Sequence, residues 1–176
     1  MRRVFACAAI ALLAGCATPY AVQERVTLLD PALGTAATQT CSRPGPENPE
    51  RLFTPTPREV TAIESAAMRL LRDRADEYAA SIGSAQPGTA TPFDWPHDPS
   101  LYKRQYVGYY EDGRRMIYGN FYPASIDYDE REPFTICDGG WHFFGVEYDV
   151  EDAAVRRIAF DGSLGGPHLQ PIEPDR

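Results

Sequence analysis

Apolar residues recur at helical spacing between positions 57 and 82 of the chain. This stripe comprises Val60, Ile63, Ala67, Leu70, Leu71, Tyr78 and Ile82. It follows Thr56-Pro57-Arg58-Glu59, which is a capping box with proline at the first helical position. The pattern therefore predicts one amphipathic helix, from about Pro57 to Ile82, that ends at Gly83 and turns its charged face to solvent.

After position 100 the pattern changes to that of strands. Tyr102–Glu111 and Arg114–Tyr122 are rich in aromatic and β-branched residues and are joined by Asp112-Gly113, a strong hairpin signal. A two-residue turn fixes which residues face one another across the two strands. The predicted pairs are Tyr109 with Met116, Val107 with Tyr118, Tyr106 with Gly119, and Gly108 with Ile117, so that large side chains cover the two glycines.

Three further strands are predicted beyond this hairpin. Turns at Asp138-Gly139-Gly140 and near Asp152 separate apolar runs, which are Phe134–Cys137, Trp141–Val150 and Val155–Phe160. A helix followed by a meander is typical of a two-layer domain. The predicted fold class is α+β, with one amphipathic helix packed on a four- to five-stranded antiparallel meander sheet.

The first 15 residues have the pattern of an export signal. Arg2 and Arg3 precede an apolar stretch from Val4 to Ala14, which is shorter than the roughly 20 residues that span a bilayer. Residues 1–15 are therefore predicted to be a signal peptide. The remaining chain divides into a Pro-rich tether (16–55), the α+β domain (56–165) and a Pro-rich C-terminal tail (166–176).

The end of this leader, Leu13-Ala14-Gly15-Cys16, resembles the lipobox of bacterial lipoproteins. The resemblance implies that the Cys16 thiol receives diacylglycerol, that the leader is removed, and that fatty chains hold the chain at a membrane. Because Ala17 follows the cysteine, where enterobacterial retention signals have Asp, it also implies an outer-membrane location. The alternative is an ordinary secretory signal in which Cys16 is incidental.

The body resembles known envelope domains in outline only. A helix followed by a meander is similar to cystatin-like and PepSY-like domains, and the stretch from Cys137 to Tyr148 resembles uncharacterised proteobacterial envelope proteins. No specific motif of those families is present, so this likeness implies an architecture and no function.

Two cysteines remain after the leader and the lipidated residue are set aside. Cys41 and Cys137 form an even pair, and an oxidising compartment favours a disulfide between them. The alternative is two buried thiols. A bond would attach the end of the predicted tether to the domain.

The chain is acidic, with a formal net charge of −8 that becomes −10 when Arg2 and Arg3 leave with the signal peptide. Such a surface repels phosphate backbones, so nucleic acid is not expected as a partner. The charge favours a basic envelope protein, and the predicted location makes peptidoglycan a second candidate partner besides the membrane.

Candidate chemistry is sparse. The three histidines, His97, His142 and His168, lack metal-binding spacing, and no nucleophile elbow occurs, so neither a cofactor nor a metal site is predicted. Carboxylates crowd two loops, which could hold calcium only if they met. One loop contains Asp127, Asp129, Glu130 and Glu132, and the other contains Glu147, Asp149, Glu151 and Asp152.

These observations favour a lipid-anchored module of the envelope that binds a partner or serves as a scaffold without catalysis. Three aromatic residues, Trp95, Tyr110 and Trp141, are its candidate ligand-binding side chains. The alternatives are a hydrolase that uses carboxylates among Asp138, Glu147 and Asp149, and a purely structural spacer.

Overall fold

The computed structural model describes residues 24–78, 96, 98–165 and 168–174 of the chain. They form an α+β structure, as predicted, around a mixed sheet of six strands. In the order of the sheet, β1 and β2 both pair with one edge of β3, and β4, β5 and β6 follow on its other side. The strands are β1 (Val26–Leu28), β2 (Leu52–Phe53), β3 (Tyr102–Glu111), β4 (Arg114–Pro123), β5 (Phe144–Asp149) and β6 (Ala154–Phe160).

Helices α1 (Gly34–Thr38) and α2 (Pro57–Asp73) lie entirely within the described residues and accompany the sheet. Single 3₁₀ turns occur at Pro31–Leu33 and Pro99–Leu101. None of the helices in the described part of the chain has both the length and the apolar character that crossing a bilayer requires.

Helix α2 begins where the capping box places it and ends earlier than predicted. The Thr56 hydroxyl accepts a hydrogen bond from the Glu59 N–H, and the Glu59 carboxylate accepts one from the Thr56 N–H. At the other end Arg74 leaves the helical conformation, and residues 75–78 are helical again. The predicted end at Ile82 lies outside the described residues. The apolar stripe extends across this break because Tyr78 is buried and its ring packs 6.0 Å from that of Phe160.

The main core lies between α2 and one face of the sheet. The predicted stripe is buried at Val60, Ile63, Ala67 and Leu71, because these positions recur on one side of the helix. They pack against alternate residues of the central strands, which include Tyr106, Ile117, Phe121, Phe144, Val146 and Ile158.

The β3–β4 hairpin has the predicted turn and register. Asp112 and Gly113 both have positive φ, 51° and 75°, as a two-residue turn of this type requires. All four predicted residue pairs are present. One detail differs, because the space above Gly108 is filled by Phe53 of β2 and not by Ile117 across the hairpin.

The predicted strand Phe134–Cys137 is absent, and β5 begins at Phe144 instead of Trp141. Side chains replace the strand hydrogen bonds at Phe134. Its N–H donates to the Gln105 side chain (2.9 Å), and its carbonyl accepts from Asn120 Nδ2 (2.8 Å). Because both backbone groups are satisfied in this way, the segment lies on the sheet without being part of it.

Residues 24–55, which the sequence assigns to the tether, are packed on the domain. Strand β1 runs parallel to β3 and β2 runs antiparallel to it, which makes the sheet mixed. Leu29 and Ala37 are buried against the sheet. Tether and domain therefore do not divide at residue 56 in the described part of the chain, and the predicted antiparallel arrangement holds for β3 to β6.

The C-terminal tail also contacts the sheet. Ile172 is 2% exposed and exchanges two backbone hydrogen bonds with Ile158 of β6, of 2.9 and 2.8 Å. The tail thus covers part of the outer edge of β6, so that fewer of its backbone groups can pair with a strand of another chain.

Candidate functional site, an acidic groove beside a buried polar face

The second face of the sheet, opposite α2, is half apolar and half polar. Its apolar part packs against Leu29 and Ala37. Residues 41–48, here called the strap, cross the polar part. They run from Cys41, beside Cys137, toward Glu50, whose N–H bonds to the Tyr110 carbonyl at the hairpin end of the sheet. The buried polar side chains on this face include Gln105, Asn120, Glu147 and Asp161.

Arg43 connects the strap to three of the side chains beneath it. Its guanidinium donates to Asp161 Oδ1 (2.5 Å), to Asn120 Oδ1 (2.6 Å) and to the Tyr118 hydroxyl (3.1 Å). The side chains of Arg43 and Asp161 are only 7% and 1% exposed. Burial opposes the charge of Arg43, but Tyr118 and Asp161 outweigh it and raise the pKa of Arg43 above its ordinary value. This is a buried ion pair in which each of the three guanidinium nitrogens has a hydrogen-bond partner.

A second ion pair lies closer to the hairpin end. Arg157 donates to Glu147 Oε1 from Nη2 (2.5 Å) and Nε (3.0 Å), and from Nη2 to the carbonyl of Gly45 in the strap (3.0 Å). The Tyr109 hydroxyl donates to the other Glu147 oxygen (3.4 Å). Burial raises the pKa of Glu147 above its ordinary value, although Arg157 acts to lower it.

This pair lines a polar groove of about 500 Å³ at the hairpin end. Glu47 and Asn48 of the strap form one wall. Glu111 and Asp112 of the hairpin and Glu173 and Pro174 of the tail form the others, with Arg156 beside the Glu147–Arg157 pair. Glu47, Glu111, Asp112 and Glu173 form no ion pair within the described residues. The groove is therefore lined by five carboxylates and two guanidinium groups, which gives it a surplus of negative charge.

Two of the three candidate aromatic residues, Tyr110 and Trp141, lie at opposite ends of the sheet. Tyr110 lies at the hairpin end, with its ring 5.5 Å from that of Phe53 and 4.2 Å from the Arg51 guanidinium. Trp141 precedes β5 at the opposite end of the sheet and is 9% exposed within the main core. Trp95 and Cys16 lie outside the described residues.

Cys41 and Cys137 lie at disulfide-bonding distance, with 5.1 Å between their Cα atoms. Next to them, the Ser42 hydroxyl accepts hydrogen bonds from the N–H groups of Asp138 (2.9 Å) and Gly162 (3.1 Å). The pair therefore joins the strap to the loop before β5, at the end of the sheet farthest from the groove.

The candidate carboxylates are dispersed. Asp149 is fully buried and accepts from Arg114, Arg156 and the N–H groups of Glu151 and Asp152, so it stabilises a turn. Glu147 lies in the groove, whereas Asp138 lies in the loop beside Cys137.

The two acidic loops considered for calcium are at opposite ends of the sheet. Glu130 bonds to Thr27 and Lys103 near the start of β3, whereas Asp149 bonds to Arg114 at the hairpin end. Within the described residues, no group of three or more His, Cys, Asp or Glu side chains could hold a metal ion.

Sequence reasoning missed Arg43 and Glu47 because it assigned both to a tether. The prolines at 44, 46 and 49 exclude regular structure there, but they do not prevent an irregular segment from packing. One signal was available. The apolar stretch Val26–Leu29 indicates that the segment preceding the strap packs on the domain.

The chain matches no family model, and comparison with curated proteins and with solved structures finds no similar protein.

Proposed function

We propose that the chain is a lipoprotein of the bacterial envelope that binds a basic partner without catalysis, and that the acidic groove is its binding surface. The observation that carries this proposal is the set of four groove carboxylates without an ion-pair partner in the described structure. Like charges held together in a concave surface raise the local concentration of cationic groups. A binding surface uses such a field, whereas a structural spacer does not need it.

Lipid on Cys16 would hold this surface close to the membrane. The first described residue is Glu24, two positions before strand β1 begins at Val26. The connection from Cys16 to Glu24 has about eight peptide units, and its reach is at most about 30 Å. The proposed location is the outer membrane, with the domain adjacent to the lipid surface.

A basic protein fits the groove better than peptidoglycan does. The groove has the size of sites that hold small ligands or a few side chains, and its surplus charge is negative. Complementary charge accelerates association and fixes orientation more than it adds to affinity. One form of this function is inhibition of a basic hydrolase such as lysozyme.

Affinity capture from envelope extracts tests the proposal. The mature chain, immobilised through its C-terminus, is expected to retain a basic protein at low salt and to release it at high salt, because exposed charge pairs are screened. The proposal fails if nothing basic is retained at low ionic strength.

A hydrolase is the second candidate, and Glu147 is the observation in its favour. A buried carboxyl group whose pKa burial raises, next to a groove and to the charge of Glu111, has the environment of a general acid. Glu147→Gln is then expected to abolish turnover of a peptidoglycan fragment with the fold intact. Equal turnover by the variant and the wild type would exclude this role.

A further inference from the structure

The strap is fastened differently at its two ends. At the groove end the chain enters the sheet hydrogen bonding, because the Glu50 N–H donates to the Tyr110 carbonyl and the Tyr110 N–H donates to the Arg51 carbonyl, both at 2.9 Å. At the far end the strap has no strand partner among the residues that the structure describes. There it is held by the Cys41–Cys137 pair and by the Ser42 hydroxyl.

Both fastenings at the far end meet the same two loops. Cys41 is paired with Cys137. The next residue, Ser42, accepts hydrogen bonds from the N–H of Asp138, which adjoins Cys137, and from the N–H of Gly162. The Ser42 bonds need the strap to be within about 3 Å of these backbone groups, and the cysteine pair keeps it there. Loss of the pair therefore weakens the Ser42 bonds as well.

The cysteine pair is accessible. Cys41 and Cys137 are both exposed, and an exposed disulfide is open to attack by a dithiol, whereas structural disulfides are typically resistant to reduction. Glu47 and Asn48, six and seven positions after Cys41, belong to the strap and form one wall of the groove.

We propose that the Cys41–Cys137 pair is a redox latch, which holds the Cys41–Ser42 end of the strap in place when oxidised and frees that end when reduced, so that the groove wall carried by the same strap is held less firmly. The effect on the groove rests on the proposed function, whereas the effect on the strap does not. Reduction is expected to leave most of the domain folded, because the main core lies on the opposite face of the sheet and contains no strap residue.

The reducing partner is a dithiol, a small molecule or a protein with two neighbouring thiols. One of its thiolates attacks a sulfur of the pair, which gives a mixed disulfide and releases the other cysteine as a thiolate. The second thiol of the partner then displaces the remaining cysteine. Overall two electrons and two protons pass to Cys41 and Cys137, and the dithiol becomes a disulfide.

Two contacts of the strap remain after reduction, those of Arg43 and the hydrogen bond from Arg157 to the Gly45 carbonyl, and they limit how far the strap opens. The Arg43 guanidinium stays close to Asp161 and its other two partners, and moving it would leave Asp161 buried without its counter-ion. The freed part of the strap is therefore expected to open in transient excursions, which hydrogen exchange detects.

Amide hydrogen exchange of the mature chain, oxidised and reduced with excess dithiothreitol, tests the latch. Exchange of the Asp138 and Gly162 amides, whose N–H groups donate to the Ser42 hydroxyl of the strap, is expected to increase about tenfold or more on reduction, with that of β3 and β4 unchanged. The Cys41→Ser/Cys137→Ser variant is expected to match the reduced wild type. Unchanged exchange of the Asp138 and Gly162 amides, or faster exchange throughout the sheet, overturns the latch.

Binding of a hexalysine peptide separates this inference from the proposed function. The oxidised chain is expected to bind the peptide about fivefold more tightly than the reduced chain, and reoxidation restores the affinity. If the strap loosens and neither form binds the peptide, the latch stands and the proposed function of the groove fails. If both forms bind equally, redox control of the groove is wrong.

Discussion

The guanidinium of Arg43 lies 2.5 Å from the carboxylate of Asp161, although 118 positions separate the two residues in the sequence. The contact joins the strap to the end of β6. Burial raises the pKa of Asp161 above its ordinary value, with Arg43 acting to lower it. Each member of the pair therefore depends on the other, because either charge alone would be buried without compensation.

Replacing Arg43 by Ala is expected to lower the free energy of unfolding by about 3 to 5 kcal/mol, because Asp161, Asn120 and Tyr118 lose a shared buried donor. Urea unfolding of the oxidised protein measures this loss. Arg131→Ala serves as the control, because Arg131 pairs with Asp129 at the exposed surface and its removal is expected to change nothing measurable. Equal unfolding midpoints for the two variants would contradict the prediction.

A methyl group at Gly108 is expected to lower the free energy of unfolding by about 1 to 3 kcal/mol through overpacking. A Cβ built on Gly108 would lie 2.3 Å from the ring of Phe53, and that ring is packed against the main core. Thermal or urea unfolding of Gly108→Ala measures the loss.

The matched control for this prediction is a double-mutant cycle with Phe53→Ala. Without the ring, Ala at position 108 has room, so the double variant is expected to be no less stable than Phe53→Ala alone. Additive losses would show that β2 does not cover Gly108 in solution.

The β3–β4 hairpin was predictable because its information is local. Asp112 and Gly113 supply the two positive φ angles, and a two-residue turn then fixes every cross-strand pair. The start of α2 is likewise encoded in four adjacent residues, Thr56 to Glu59.

The groove was not predictable from pattern because its walls come from distant segments. Glu47, Glu111 and Glu173 meet only once the strap crosses the sheet and the tail adds Ile172 to β6. The same holds for Phe134, whose backbone is satisfied by the side chains of Gln105 and Asn120. Hydrophobic periodicity predicts which face of an element is buried. It does not predict that a side chain takes the place of a neighbouring strand in hydrogen bonding to the backbone.

Asp149→Asn is expected to lower stability at pH 7 by about 2 kcal/mol, because charged hydrogen bonds at a turn are lost. Burial alone would raise the pKa of Asp149, but hydrogen bonds from Arg114, the Asp152 N–H and Arg156 hold it well below its ordinary value. A carboxylate with a lowered folded-state pKa stabilises the fold above its unfolded-state pKa, near 3.9. That contribution is lost as the pH falls toward the folded-state value.

Unfolding curves measured between pH 7 and pH 2 check this prediction. The difference in stability between wild type and Asp149→Asn is expected to shrink as the pH falls below about 5. Glu64, Glu147 and Asp161, whose pKa values burial raises, contribute in the opposite direction, but they are present in both proteins and cancel in the difference. A difference that stays constant with pH would mean that the Asp149 charge is not what stabilises the turn.

Neutralising two walls of the groove is expected to weaken binding of the basic partner about tenfold and to reduce its salt dependence. The variant is Glu47→Gln with Glu173→Gln, and both side chains are exposed. Titration at two ionic strengths measures the affinity.

The control for the groove removes the same number of charges elsewhere. Asp127 and Glu132 are exposed in the loop near the start of β3, away from the groove. Asp127→Asn with Glu132→Gln is therefore expected to bind as the wild type does, apart from a small effect of net charge. Equal losses in both double variants would show that the partner responds to total charge and not to the groove.

The proposed lipid anchor makes a prediction that compares two cysteines of the same chain. Cys16→Ser removes the thiol on which diacylglycerol would be placed, so the chain is expected to lose its lipid mass and to move from the membrane fraction to the soluble fraction. Cys7→Ser, nine positions earlier within the leader, is expected to leave processing, mass and fractionation unchanged. Intact-mass measurement of the membrane-extracted protein, with fractionation of the cells, checks both. An unmodified Cys16 in the wild-type mature chain would contradict the proposed lipid anchor. The proposed position of the domain, within about 30 Å of the membrane surface, would then be wrong as well.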